Sequence, residues 1–290
     1  MNVAANGLST TSPKGKSFIV KSKNGIVTAV LAVYAVVTLY PLIWLMLSAF
    51  KTNADFAHPF AIPKVWHWEN LQKAWTVSHM GTAMVNSIIV TTVALALTLV
   101  LGALAAYVLS RFQFKFKVLI MGFFLLGMLI PIHSTLVPLF ILMNKIHMLN
   151  TYPALILPYV AFQLPIAIFI ATAYMSTFPK DIEEAAFVDG MGYWGIFWKI
   201  ILPLASPALA TVAILSVLRF WNEFSFALVF ISKASLKTVP LSLSVFANGY
   251  GTDYKLTMAA MAISVIPTIA VYLLFSEKIM KGMTAGAVKG

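Results

Sequence analysis

The chain alternates between long uncharged stretches and short polar connections. Charged residues bound uncharged runs at 24–50, 74–110, 118–144, 146–179, 200–218 and 256–276. Each run approaches or exceeds the ~20 residues that an α-helix needs to cross a hydrocarbon core. The pattern predicts six transmembrane helices in an all-α polytopic membrane protein. Spanning strands would read instead as ~10-residue alternating segments, and the sequence has none. The same boundaries divide the chain into a flexible tail at 1–23, a first membrane helix at 24–50, a loop at 51–79, a core of five membrane helices at 80–278, and a second tail at 279–290.

Prolines punctuate these runs. Span 1, about Ile26 to Phe50, carries Pro41; span 3 is interrupted by Pro131 and Pro138; span 4 holds Pro153, Pro158 and Pro165. Each proline weakens the helical ladder, which a membrane tolerates only where neighbours or a cavity satisfy the freed groups. Bent helices around a pathway are the expectation. Span 2 offers Gly102, Ala103, Ala105 and Ala106 as a small-residue face for close packing. Span 5 is expected from about Ile200 to Phe224 and span 6 from about Met258 to Phe275. Trp66, Trp68 and Trp75 in the first loop suit the half-wet membrane interface.

Composition agrees with a bilayer. With 60% hydrophobic and 10% charged residues, the chain is too apolar for a soluble globule, where roughly a quarter of residues are charged. The net charge of +11 does not indicate nucleic acid, because the basic residues are scattered at loop ends without interleaved aromatic platforms. They follow orientation instead. Six spans place twelve of them, including Lys14, Arg111, Lys180 and Lys281, on one side and seven, including Lys51, Lys145 and Lys237, on the other. The positive-inside rule makes the first side cytoplasmic, with both termini and the 178–199 loop. The polar residues 1–23 lack a cleavage pattern, so the first span reads as a retained anchor. Without cysteine, no disulfide or thiolate metal site is available.

Catalytic chemistry is not apparent. Gly15-Lys16-Ser17 imitates the end of a P-loop, but Thr10 stands where its first glycine belongs. The five histidines show no ligand spacing, so no metal site is expected. His133, beside Pro131 in span 3, reads as a hydrogen-bond donor facing other helices or as a relay on a pathway. Arg219 and Glu223 stand four apart on span 5, flanking Trp221 and Asn222. At ~1.5 Å per residue from Lys199, Arg219 comes ~30 Å along the helix, near the outer boundary. An i,i+4 ion pair there is either structural or part of the mouth of a pathway.

The run Glu184 to Pro203 is the most specific feature. Lys180 to Asp189 reads as a short surface helix: Pro179 suits its first turn, and Asp181, Glu183 and Glu184 complement the positive end of its dipole. Gly190 can stop it in a left-handed conformation. The spacing E-A-A-x3-G-x9-I-x-L-P, from Glu184, Ala185 and Ala186 through Gly190 to Ile200, Leu202 and Pro203, resembles the ATPase-docking segment of binding-protein-dependent ABC importer permeases. Other stretches are similar to the carbohydrate-importing branch related to maltose uptake: Tyr40-Pro41-Leu42-Ile43-Trp44, Ser48-Ala49-Phe50-Lys51, Trp221-Asn222-Glu223-Phe224 and the tail Gly282 to Gly290. Met191 departs from the alanine often found after the motif glycine.

The resemblance implies a type I ABC importer permease fold, in a bacterial or archaeal plasma membrane, working beside a second homologous permease subunit. It implies two cytoplasmic ATPase subunits that carry ATP and Mg, an extracytoplasmic solute-binding protein, a carbohydrate substrate and no cofactor in this chain. Glu184, Ala185, Ala186, Asp189, Gly190, Ile200, Leu202 and Pro203 would couple to an ATPase and pass its closure to spans 3 to 6. Thr284, Ala285, Gly286, Val288 and Lys289 would touch the ATPases as a tail with too little apolar surface to order alone. Phe246, Tyr250 and Asp253 would meet the binding protein, and Arg219, Asn222, Glu223 and His133 would line the substrate pathway. The alternatives are a permease for another small solute and a secondary transporter, for which Glu223 is the only candidate intramembrane carboxylate.

Overall fold

The computed structural model describes residues 14–246 and 253–287. Among them the chain is helical throughout, without a strand. Helix α1 spans Lys14–Ser48 and starts well before its uncharged run, so residues 14–23 are helical rather than a loose tail. Once the apolar stretch is helical, each added residue gains a hydrogen bond without a new nucleus. Among the described residues, three helices are long and apolar enough to cross a bilayer: Val27–Ser48 within α1, α3 (Met80–Arg111) and α6 (Tyr152–Met175). Helix α2 (Glu69–Val77) belongs to the first loop.

Two of the expected spans are broken. Helices α4 (Lys117–Gly127) and α5 (Ile132–Lys145) meet at 97°, and the segment Tyr193–Leu204 meets α10 (Ser206–Trp221) at 72°. Counting each bent pair as one span gives five, and helix α13 (Tyr254–Ala287) contributes a shorter apolar stretch, Tyr254–Ala270. The first break falls at Pro131, whose ψ of 129° is extended. The second falls at Ala205 between Pro203 and Pro207, just past a π-helical stretch, Phe197–Ile201. Prolines and π turns are the usual causes of sharp bends. Pro41, Pro138, Pro158, Pro165 and Pro267 instead lie inside continuous helices. Pro131 thus marks the break expected in span 3, whereas Pro138 does not interrupt its helix.

Helices α3 and α6 form the most extensive pairing and run parallel: Val90 and Ala94 share a core with Tyr159, while Tyr107 shares another with Met175. The approach is close because the facing residues are small. A Cβ on Gly102 would come within 3.2 Å of the Ala167 Cβ, and Ala103 and Ala106 are buried beside it. Helix α10 packs on α3, α6 and α13. A third core joins the first loop to α13 through Ala49, Ala74, Met80 and Ala259. There Lys51, counted above among the basic loop residues, is 1% exposed. Its Nζ donates to the Pro59 carbonyl at 2.6 Å, so it ties the loop together from within. Trp66 and Trp68 flank Phe50. Helix α1 leaves Val27 to Ile43 exposed and packs only through its last residues, where Leu45 and Met46 join the third core.

Candidate functional site

Helix α7, Asp181–Val188, forms the knob expected at Glu184. Asp181, Glu183 and Glu184 occupy its first turn, next to the unpaired amides that favour negative charge. Its end is a Schellman motif. Gly190 adopts φ +81°, its N–H donates to the Phe187 carbonyl at 3.0 Å, and the Met191 N–H reaches back to Ala186 at 2.9 Å. Nothing lies within 4 Å of a Cβ on Gly190, so glycine is needed there for its backbone and not for space.

The two faces of α7 differ. Glu184, Ala185, Asp189 and Gly190 are exposed, as are Ile182, Phe187 and Val188, the last at 88%. Ala186 faces the other way: it is 3% exposed and shares a core with Ala106, Tyr107, Met175 and Ile201. It seats the helix instead of presenting it, because a small side chain lets α7 lie close on the bundle. Ile200 and Leu202 are half-buried and Pro203 is exposed, in the stretch leading to the 72° bend. Beside them α3, the π-helical stretch and α10 enclose an open apolar groove of about 640 Å³ that includes Leu99, Ala103, Phe197, Leu202 and Ala210.

Beneath α7 lies a residue that sequence reasoning treated only as a basic loop end. Arg111, in the last turn of α3, donates through Nη1 to the Phe178 carbonyl at 2.9 Å. Its Nε stands 2.6 Å from Glu183 Oε1, with side chains only 6% and 12% exposed. The N–H is poorly aimed along that line, leaving Nε, Nη2, Glu183 Oε1 and the Tyr107 hydroxyl without a hydrogen bond. Burial pushes the Glu183 carboxyl above its usual range, and Arg111 and Lys180 pull it down less strongly. Aromatic contacts continue the seat: Tyr107 meets Phe112, Phe112 meets Tyr193, and Tyr193 meets Phe187. No local rule pairs Arg111 with Glu183, since their separation in the chain exceeds any helical spacing.

The second cluster corrects the expected Arg219–Glu223 pair. Helix α10 ends at Trp221, with Asn222 as its cap, so Glu223 lies beyond the helical register that an i,i+4 pair requires. Its carboxylate accepts from the Tyr159 hydroxyl at 2.8 Å, the Phe226 N–H at 2.8 Å and the Ala227 N–H at 3.3 Å. It thereby caps α11, Ser225–Phe230. Arg219 Nη1 donates instead to Gln163 Oε1 at 3.1 Å, and the residue as a whole is exposed. Asn222 is exposed and donates to the Leu218 carbonyl. His133 does not face neighbouring helices: it is exposed on the first turn of α5, just past the 97° break.

Residues 98–284 match the family model of the binding-protein-dependent transport system inner membrane component. This chain belongs to that family. It is 39% identical over 265 residues to the probable ABC transporter permease protein YurM of Bacillus subtilis, covering 90% of this chain and 87% of that protein. It is 35% identical to the diacetylchitobiose uptake system permease protein NgcG of Streptomyces coelicolor, covering 90% and 87%. It is 36% identical to the trehalose/maltose transport system permease protein MalG of Thermococcus litoralis, covering 88% and 93%. A crystal structure of a bacterial ABC transporter importing the acidic polysaccharide alginate superposes at a TM-score of 0.73. That match covers 93% of this chain and 99% of that one, at 22% identity, and supports the fold.

The chain is thus a multi-pass inner-membrane component of the binding-protein-dependent transport family, with the type I permease fold. Of the residues expected to meet a binding protein, Phe246 is 6% exposed and packs with Met80 and Val239. It completes the core rather than meeting a partner, because an aromatic ring gains more from burial than from a loop surface. Asp253 is half-buried, and Tyr250 lies outside the described residues. Thr284, Ala285 and Gly286 lie in the backbone of α13, so this part of the tail is helical rather than an irregular end. Continuing an existing helix avoids the cost of nucleation. Val288 and Lys289 lie outside the described residues. The residues missed at α7, Ile182, Phe187 and Val188, carried no signal because sequence does not say which face of a short helix the bundle covers.

Proposed function

We propose that this permease subunit imports a sugar or oligosaccharide, and that α7 is the docking helix through which separate ATPase subunits drive it. The observation that carries this reading is the exposed apolar face of α7. Val188 stands in solvent on a connecting loop and Ile182 and Phe187 expose part of their side chains beside it, while Ala186 and Glu183 hold the helix from beneath. Exposed apolar patches on a loop mark interaction sites. Glu184, Ala185, Asp189 and Gly190 form the rim of that contact, and Ala186, Ile200, Leu202 and Pro203 set its position and lead into the bend of α10. The basic asymmetry supports a cytoplasmic location for this knob and for both termini.

The importer would contain a second homologous permease and two ATPase subunits that bind ATP and Mg. The related chitobiose and trehalose/maltose permeases support the carbohydrate class. Arg219 and Asn222 expose hydrogen-bonding groups that suit sugar hydroxyls, above a turn that Glu223 fixes. Thr284 to Gly286, on the last turns of α13, would lie near the ATPases. The test is Val188→Asp in the co-expressed complex. The variant should keep its membrane fold, since an exposed substitution seldom costs more than ~0.5 kcal/mol, yet lose ATPase subunits on purification. Full retention would refute the docking role. Uptake of a saccharide panel by the wild-type complex tests the substrate class.

A further inference from the structure

Beyond its outward face, the docking helix has an anchor, and the anchor is on α3. Arg111 holds two points of the docking segment at once, the Phe178 carbonyl ahead of α7 and the Glu183 carboxylate within its first turn. The guanidinium also lies over the Phe178 ring, 5.6 Å from its centroid. Glu183 and Ala186 are three apart and so share the inner face of α7; the contact with Arg111 thus leaves the outer face free for a partner. One turn back on α3, Tyr107 packs against Phe197 of the π-helical stretch at 5.2 Å. The last turn of α3 therefore grips the segment on both sides of the Gly190 turn.

We propose that Arg111 is a positioning residue that makes α3 and the docking helix move as one body, so that ATPase closure is delivered directly to α3 as well as to α10. Lysine can replace it only in part, since a single ammonium lacks the planar fork that serves a carbonyl and a carboxylate together. The route rests on the docking role of α7, and it adds a span that the docking motif by itself does not include.

The test uses the assembled complex in nanodiscs with its ATPase and solute-binding subunits. Because the chain has no cysteine, spin labels can be placed through Asp181→Cys and Val108→Cys, both exposed and on α7 and α3 respectively. With Arg111 present, the label separation should be the same without nucleotide and with ATP and vanadate. With Arg111→Gln it should change on trapping, and hydrolysis stimulated by the binding protein should fall roughly tenfold, an ordinary coupling between sites; Arg111→Lys should fall between. A separation that changes with Arg111 in place, or a glutamine variant with wild-type separation and hydrolysis, overturns the proposal. A second arm is independent of folding differences. The pair Arg111→Cys and Glu183→Cys, uncoupled as free thiols, should regain coupling when bridged by a short bifunctional thiol reagent; a bridged but still uncoupled complex also overturns it. Val188→Asp separates the two readings. If it keeps its ATPases, the docking role itself fails; if it loses them while Arg111→Gln behaves as wild type, only the latch fails.

Discussion

Two arginine–glutamate couples occupy opposite ends of the bundle, and the structure reverses what their spacing suggests. Arg219 and Glu223 are neighbours in sequence, yet the first bonds Gln163 and the second bonds Tyr159 and two amides of α11. Arg111 and Glu183 are remote in sequence, yet they stand 2.6 Å apart. The difference comes from where each helix ends. Helix α10 stops before Glu223, and a carboxylate just ahead of a new helix finds free N–H donors. Helix α3 stops at Arg111, where the loop carrying α7 folds back over it and supplies an acceptor. Opposite charge alone does not make a pair; termini decide which donors and acceptors are unspent.

The largest effect expected from this contrast is at Glu223. Glu223→Ala removes three hydrogen bonds to a charged acceptor and leaves the Tyr159 hydroxyl buried without a partner, a loss of about 3 kcal/mol. Thermal unfolding in detergent should show it, while Arg219→Ala costs less and the double variant is additive within ~0.5 kcal/mol. Strong non-additivity would restore the expected ion pair. At the other couple, the cycle of Arg111→Gln and Glu183→Gln should give a coupling of ~1–2 kcal/mol. An additive result there would mean that the close approach is energetically idle.

A smaller change separates the anchor from the local cap. Gly190→Ala meets no steric obstacle but must hold a left-handed backbone, so a cost of ~1–2 kcal/mol is expected. If unfolding shows no change, the Schellman turn is not what sets α7, and Arg111 alone holds it. The smallest effect is a pH dependence. The folded chain raises the Glu183 pKa above 4.5, so the folded state binds this proton more tightly than the unfolded one. The linked stability is full below pH 4.5 and declines as pH rises through the raised value. Glu183→Gln should remove that decline, and parallel profiles for the two proteins would show that Arg111 offsets the burial.

Much of the molecule was legible in its sequence. Uncharged runs gave the all-helical class and the six apolar segments, and Gly190 gave the left-handed stop of α7, because length, charge and φ > 0 are properties of short stretches of chain. The motif spacing also placed Glu184, Ala185 and Asp189 on an exposed knob. Other features did not follow from it. Pro131 marked one bend in advance, but five other prolines sit in unbroken helices and the second bend at Ala205 was not expected, since the groups a proline frees can be satisfied by neighbours without a break. Ala186 and Phe246 read as contact residues but fill the interior, since only packing decides which face of a short segment is covered. Arg111 read as a basic loop end and Glu183 as a first-turn carboxylate of a surface helix, and only the return of the α7 loop onto α3 makes them partners. Local sequence sets what each segment can become, through hydrogen-bond geometry and hydropathy; which buried donor meets which acceptor is fixed by tertiary packing, because those groups come together only when distant segments are stacked.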